Sequence, residues 1–149
     1  MSCQYFRENH SDCCECSQNQ IINASENKSK YSLRNPQRRE VCKIHLDGCA
    51  SMETTGKQCD YLFLSCDTNR AFFIELKGCD LLHAIDQLDQ SIDRHKQSVE
   101  GFAINARVVL SRTQTPDIRS PKYIKFKKKI KDLRGTFEHR NILLEETLP

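Results

Sequence analysis

Residues 57–78, KQCDYLFLSCDTNRAFFIELKG, determine the fold that the sequence predicts. Two apolar runs of strand length, residues 61–64 and 71–76, flank a short loop rich in Ser, Asp and Asn. Aromatic and aliphatic runs on either side of such a loop are typical of a β-hairpin. The pattern therefore predicts two antiparallel strands that are joined by a turn.

The hairpin is predicted to bring two acidic side chains together. A turn centred between Asp67 and Thr68 places Asp60 directly across from Glu75, and Lys77 shares the face of Glu75 because strand side chains alternate. Opposed Cβ atoms lie about 4.5–5.5 Å apart, where like charges repel each other. A divalent cation offsets that repulsion, and carboxylates are hard oxygen ligands. The sequence therefore predicts a Mg²⁺ or Mn²⁺ site, with solvent-facing charges as the alternative.

Asp60 followed by the Glu75-Leu76-Lys77 triplet on an apolar strand resembles the core motif of the PD-(D/E)XK nuclease superfamily. Cys59 stands where the superfamily usually has proline. The resemblance implies an α/β (α+β) fold with a restriction-endonuclease-like αβββαβ core, in which helices flank a central mixed sheet. It also implies that Asp60, Glu75 and the backbone carbonyl of Leu76 bind the metal. Lys77 would then orient or deprotonate the attacking water, or stabilise the charge on phosphorus.

The segment after the hairpin predicts a helix that supplies a further candidate residue. Asp80 is a suitable N-cap for a helix that extends to about Gln97. Gln87 lies beside the apolar stripe, on a flank with the small residues Ala84 and Ser91, which allow another element to approach closely. A Gln or Lys on this helix of the superfamily helps to position the nucleophile or the scissile phosphate, and the resemblance implies that role for Gln87. The alternative is a surface amide.

A second predicted helix offers a basic surface. Ser120 and Pro121 are typical of an N-cap followed by proline at the first helical position. The spacing of the following residues places Lys125, Lys128 and Lys131 on the outer face. Lysine contacts with phosphates provide most of the non-specific affinity for nucleic acid. We therefore expect these three lysines to contact the nucleic-acid backbone, unless the face is ordinary solvated surface.

Composition bounds the organisation of the chain. Its 149 residues suit one modest core, preceded in our interpretation by a polar, Cys-containing segment over residues 1–40 that is flexible or forms one docking helix. Residues 41–149 form the predicted nuclease-like domain. No apolar run has membrane-spanning length and no signal sequence opens the chain, so we expect a soluble, cytoplasmic protein with no membrane partner. The nine cysteines are then expected to be reduced thiols.

The cysteines also suggest a competing kind of site. His10, Cys13, Cys14 and Cys16 are close enough in sequence to bind zinc, although structural zinc sites usually draw on two separated ligand pairs. The main prediction remains a Mg²⁺- or Mn²⁺-dependent endonuclease, with DNA favoured over RNA, that acts in phage defence or DNA processing. Specificity would come from a homodimer, from a partner protein, or not at all. Two alternatives stay open: a catalytically silent nucleic-acid-binding module of the same fold, and a Cys-rich zinc adaptor.

Overall fold

The computed structural model describes residues 2–52, 58–76, 80–112 and 118–149. Within these ranges the chain forms three helices and nine strands. In chain order they are α1 (Ser2–Asn9), β1 (Cys14–Ser17), β2 (Ile21–Glu26), β3 (Ser29–Arg34), β4 (Val41–His45), β5 (Tyr61–Ser65), β6 (Arg70–Glu75), α2 (Leu81–His95), β7 (Ala103–Leu110), α3 (Pro121–Asp132), β8 (Phe137–Asn141) and β9 (Leu143–Thr147). None of these helices has the length and apolar character that a membrane span requires.

A mixed six-stranded sheet forms the centre of the molecule, in the order β1-β4-β5-β6-β7-β8. The neighbours from β1 to β6 are antiparallel, whereas β6, β7 and β8 are parallel to one another. Parallel neighbours need a crossover connection, and α2 and α3 provide the two crossovers. Both helices contribute to the same apolar core on one face of the sheet, together with α1. The structure therefore confirms a mixed α/β fold with a mixed sheet, but all three helices lie on one face of that sheet.

A smaller sheet, in the order β2-β3-β9, covers the opposite face of the central sheet. The buried guanidinium of Arg107 on β7 connects the two sheets through the carboxylate of Glu146 on β9. Its Nε lies 2.7 Å from one carboxylate oxygen and its Nη2 lies 3.1 Å from the other. The Tyr31 hydroxyl donates to the same carboxylate at 2.7 Å. A buried ion pair of this kind is costly to break once formed, because one charge is left without its partner.

The predicted hairpin and both predicted helices are present. In β5 and β6, Tyr61 is the partner of Ile74, which is the register that places Asp60 across from Glu75. The Asp80 side chain accepts a hydrogen bond from the backbone N–H of the second residue of α2 and caps that helix. Ser120 caps α3 in the same way. Local sequence signals therefore predicted these elements correctly.

α3 ends shortly before Gly135, and a residue in the left-handed conformation, most often glycine, commonly terminates a helix. Arg134 takes that role with φ of 69°, and Gly135 donates its N–H to the carbonyl of Ile130 at 3.1 Å. A Cβ atom on Gly135 would overlap the carbonyl group of Ile104 on β7. Glycine is therefore needed at this position for close approach of two backbone segments.

The first forty residues are more structured than the sequence predicted. The expected docking helix is α1, whose Cys3 and Phe6 enter the core beneath the helices. Three strands also form, of which β1 pairs with β4 and β3 pairs with β9. In β2 only Ile22 and Ala24 are buried, so the apolar alternation is short and is interrupted by polar residues. This weak pattern explains why the sequence did not predict the strands.

Six cysteines form disulfides, so the expectation of reduced thiols is wrong for these residues. The bonds cross-link the N-terminal segment to the central sheet and to the loop after β4. Of the cysteines in the described part of the chain, Cys14 and Cys59 are free thiols. The three disulfides are Cys3–Cys66, Cys13–Cys49 and Cys16–Cys42.

Candidate functional site

Asp60 and Glu75 lie at the end of the β5–β6 hairpin that is remote from its turn. The strand register pairs Leu62 with Phe73, and both side chains are in the core beneath the helices. Because side chains alternate along a strand, the same register directs Asp60 and Glu75 to that face. Each acidic residue is only 1% exposed. The hairpin therefore presents two buried carboxylates on one face of the sheet.

Backbone hydrogen bonds fix the position of Asp60. Its Oδ2 accepts a hydrogen bond at 2.7 Å from the backbone N–H of Leu76, the residue that follows Glu75. Its own carbonyl oxygen accepts from the N–H of Leu46, at the end of β4, at 2.9 Å. Asp60 is thus tied to both neighbouring strands, which limits its movement relative to Glu75.

The small-residue flank of α2 lies against this acidic pair. Gln87 Nε2 donates to Glu75 Oε2 at 3.0 Å. One turn further on, the Ser91 hydroxyl oxygen accepts from the backbone N–H of Cys59 at 2.7 Å. Ala84 and Ser91 are fully buried, so the helix approaches the strands closely, as their small size predicts. α2 therefore supports both carboxylates, one directly and one through the residue that precedes it.

Cys59 places a neutral thiol beside the acids. Complete burial raises the pKa of Cys59 far above its usual value, and the charges of Glu75 and Asp60 raise it further, although a hydrogen bond from Ser91 opposes them. A thiol held protonated is a poor nucleophile. Cys59 therefore belongs to the lining of the site and does not supply thiolate chemistry.

The other two residues of the predicted motif are Leu76 and Lys77, and only Leu76 lies within the described residues. Lys77 lies outside the described residues, so its role stays a prediction. The backbone N–H of Leu76 contacts Asp60, while the use of its carbonyl as a metal ligand also stays a prediction. Two carboxylates on one face suit Mg²⁺ or Mn²⁺, because Mg²⁺ is usually bound by one or two carboxylates and keeps several waters. The described donor set therefore fits such an ion.

A polar network that the sequence analysis missed supports the segment before Asp60. Gln58 Oε1 accepts hydrogen bonds from Arg94 Nη1 at 2.9 Å and lies 3.3 Å from His95 Nε2, both at the end of α2. Burial, followed by the charges of Arg94 and His10, lowers the pKa of His95 to about 4. His95 follows Ser91 by one helical turn, and both lie on the buried side of α2. This spacing is the sequence signal that could have indicated a buried histidine.

The outer face of α3 carries the three predicted lysines, and their contact with nucleic acid stays a prediction. Lys125, Lys128 and Lys131 are all exposed, but Lys128 pairs with Asp132 at 3.1 Å. Lys125 and Lys131 form no ion pair with any residue that the structure describes. Aspartates of α2 neutralise the side of α3 that faces that helix. The interhelical ion pairs are Lys122 with Asp86, and Lys129 with both Asp89 and Asp93.

The four predicted zinc ligands do not share one centre. His10 Nδ1 lies 2.8 Å from the Ser51 hydroxyl, and Cys14 is a free thiol. Cys13 and Cys16 belong to different disulfides. Among the described residues, the potential ligand groups that do converge are Cys3, Cys42 and Cys66; Cys14, Cys16 and Cys42; and Asp12, Cys13 and Cys49.

No match to this chain is found among protein-family models, among curated proteins or among solved structures. Membership of the PD-(D/E)XK superfamily therefore stays a proposal. Its support is the geometry of the acidic pair and the helix that contacts it.

Proposed function

We propose that this protein is a metal-dependent nuclease that hydrolyses phosphodiester bonds in nucleic acid, with DNA as the favoured substrate. The observation that carries the proposal is the placement of Asp60 and Glu75 side by side on the face covered by α2. The order of elements supports it: antiparallel β4, β5 and β6 are followed by α2 and then by β7, parallel to β6. This order agrees with the αβββαβ core that the motif implies, with α1 as the first helix.

The chemistry follows from the two buried acids. Carboxylates are hard oxygen ligands of the kind that Mg²⁺ and Mn²⁺ prefer. A bound Mg²⁺ or Mn²⁺ ion would polarise the phosphate and lower the pKa of a bound water. The amide donors of Leu76 and Gln87 hold Asp60 and Glu75 in fixed orientations. Lys77 would act on the water or on the phosphate.

Contacts with the nucleic-acid backbone would come from α3. Lys125 and Lys131 are the strongest candidates, because both are exposed and the lysines near α2 are neutralised by aspartates. Backbone contacts of this kind carry no sequence information. Specificity would come from a second copy of the chain, from another protein, or not at all.

A second candidate function is a nucleic-acid-binding module of the same fold without turnover. The observation that favours it is the burial of both acids, each 1% exposed, because a substrate phosphate must reach the metal for cleavage. This candidate predicts salt-sensitive binding and no metal-dependent degradation. It shares the basic helix with the first candidate and differs in the chemistry alone.

The deciding experiment incubates the purified protein with supercoiled plasmid, linear duplex, single-stranded DNA and RNA, each with Mg²⁺, Mn²⁺ or EDTA. We expect cleavage that requires the divalent ion and that falls by at least about 100-fold in Asp60→Asn and Glu75→Gln. Asp67→Asn is the matched control, because Asp67 is an exposed acid at the opposite end of the same hairpin. Divalent-dependent cleavage that survives in both site variants would refute the assignment. Binding without any cleavage would establish the second candidate.

Gln87 permits a finer test. Gln87→Ala removes the amide that donates to Glu75, and we expect a 10–100-fold loss of activity with a raised requirement for the metal, typical of a residue that orients a ligand. Gln90→Ala on the same helix is the control, because Gln90 is exposed. Titration of activity against Mg²⁺ concentration separates the two variants. An unchanged Mg²⁺ dependence in Gln87→Ala would show that the contact does not orient a metal ligand.

A further inference from the structure

Five cysteine sulfurs form a continuous cluster near α1, at the turn end of the β5–β6 hairpin. Two disulfides lie within the cluster, Cys3–Cys66 and Cys16–Cys42. The Sγ atoms of Cys42 and Cys66 are 3.7 Å apart, so the two disulfides are in contact. The free thiol of Cys14 lies 3.7 Å from the Sγ of Cys16. The cluster is remote from Asp60 and Glu75, which occupy the other end of the hairpin.

The spacing of these sulfurs matches a metal–thiolate centre. Tetrahedral Zn²⁺ with Zn–S bonds of about 2.3 Å places its ligand sulfurs about 3.8 Å apart. Cys42 and Cys66 already have that separation, and the sulfurs of Cys3, Cys42 and Cys66 lie within 4.8 Å of one another. Cys16 is bonded to Cys42, so its sulfur lies next to this group of three sulfurs. Three sulfurs from separate segments therefore lie within ligand distance of one another, and the sulfur of Cys16 adjoins them through Cys42.

Arg7 provides independent support for thiolate at this place. Its Nε donates to the Sγ of Cys16 at 3.3 Å, and its guanidinium also forms an ion pair with Glu40. A nearby guanidinium stabilises thiolate relative to thiol. Hydrogen bonds from outer residues to ligating atoms are a general feature of metal sites. Arg7 is thus positioned to stabilise a ligating sulfur on Cys16.

We propose that Cys3, Cys16, Cys42 and Cys66 bind one Zn²⁺ ion when their two disulfides are reduced. A dithiol reductant would deliver two electrons and two protons to each disulfide and would itself be oxidised to a disulfide. Binding of Zn²⁺ then releases the thiol protons, because the ligands are thiolates. This ligand set shares only Cys16 with the set that the sequence predicted, and it draws on separated segments, as structural zinc sites usually do.

The consequence is a cross-link that persists under both oxidising and reducing conditions. Cys3 lies on α1, Cys16 on β1, Cys42 on β4 and Cys66 directly after β5. Either the two disulfides or one Zn²⁺ ion would link α1 to the end of β5, and β1 to β4. Zinc binding by such a site contributes directly to the free energy of folding.

The test uses the full chain, reduced with excess dithiol and desalted anaerobically, then supplied with Zn²⁺ or Co²⁺. We expect one tightly held Zn²⁺ per reduced chain, none in the oxidised chain, and with Co²⁺ the visible spectrum of tetrahedral thiolate coordination. Cys3→Ser and Cys42→Ser should each abolish stoichiometric binding. Cys14→Ser and the double variant Cys13→Ser/Cys49→Ser should retain it, because the Cys13–Cys49 disulfide is not part of the proposed ligand set.

Three outcomes would overturn the proposal. The first is a reduced wild-type chain that retains no stoichiometric Zn²⁺, which needs no variant and so does not depend on any variant folding. The second is a Co²⁺ spectrum without thiolate-to-metal charge transfer. The third is loss of binding in Cys14→Ser together with its retention in Cys3→Ser, which would move the site to a different set of cysteines.

Discussion

His95, the last residue of α2, makes the stability of this protein depend on pH. Its side chain is 8% exposed, its Nε2 lies 3.3 Å from Gln58 Oε1, and its ring approaches that of Phe6. Burial is the main reason that its pKa falls from 6.5 to about 4, and the charges of Arg94 and His10 add to the effect. The folded protein therefore holds this imidazole neutral over a range in which the unfolded chain protonates it.

The sign and size of the effect follow from the linkage between protonation and folding. Above pH 6.5 neither state binds the proton, and the contribution of the neutral histidine to the free energy of unfolding is fully present. As the pH falls from 6.5 towards 4, the unfolded state takes up the proton and the folded state does not, so stability decreases. A difference of this size in pKa corresponds to about 3 kcal/mol, at 1.36 kcal/mol per unit.

The assay is urea unfolding without reductant, followed by circular dichroism, at several pH values between 7.5 and 4. His95→Gln removes the titrating group, and we expect the free energy of unfolding of this variant to fall less steeply with acid than that of the wild type. Between pH 7.5 and 4, the wild type should lose about 3 kcal/mol more of its free energy of unfolding than the variant loses. His83→Gln is the control, because His83 is an exposed histidine on the same helix. Parallel pH profiles for wild type and His95→Gln would show that His95 does not cause the loss of stability in acid.

Two further predictions concern the stability of the fold. Gly135→Ala should lower the free energy of unfolding by about 3 kcal/mol, because the added Cβ overlaps the backbone of Ile104; a loss below about 0.5 kcal/mol in urea unfolding would contradict this. Glu146→Ala leaves Arg107, 4% exposed, without its carboxylate and should cost about 3–5 kcal/mol in the same assay. Glu145→Ala, which removes an exposed ion pair, should cost less than about 1 kcal/mol, and equal losses in the two variants would contradict the second prediction.

The candidate site shows how far local signals extend. The turn centre and the two apolar runs were enough to predict the register that opposes Asp60 and Glu75, because a hairpin is a short-range structure. Side-chain alternation then predicted the shared face. The small neighbours of Gln87 on α2 predicted the close approach that the contact with Glu75 requires. The Gln58–His95 contact was not predictable in this way, since it joins residues from different elements through burial.

Local sequence signals were enough to predict the central hairpin, the caps of α2 and α3 and the opposed acidic residues, because each depends on residues that are near one another in the chain or on strict alternation. The strands of the N-terminal segment, the partners of the cysteines and the ion pairs between α2 and α3 emerge only in the folded chain. Those features join residues that are far apart in sequence. Their energies come from burial and charge pairing, which exist only after the layers of the fold have come together.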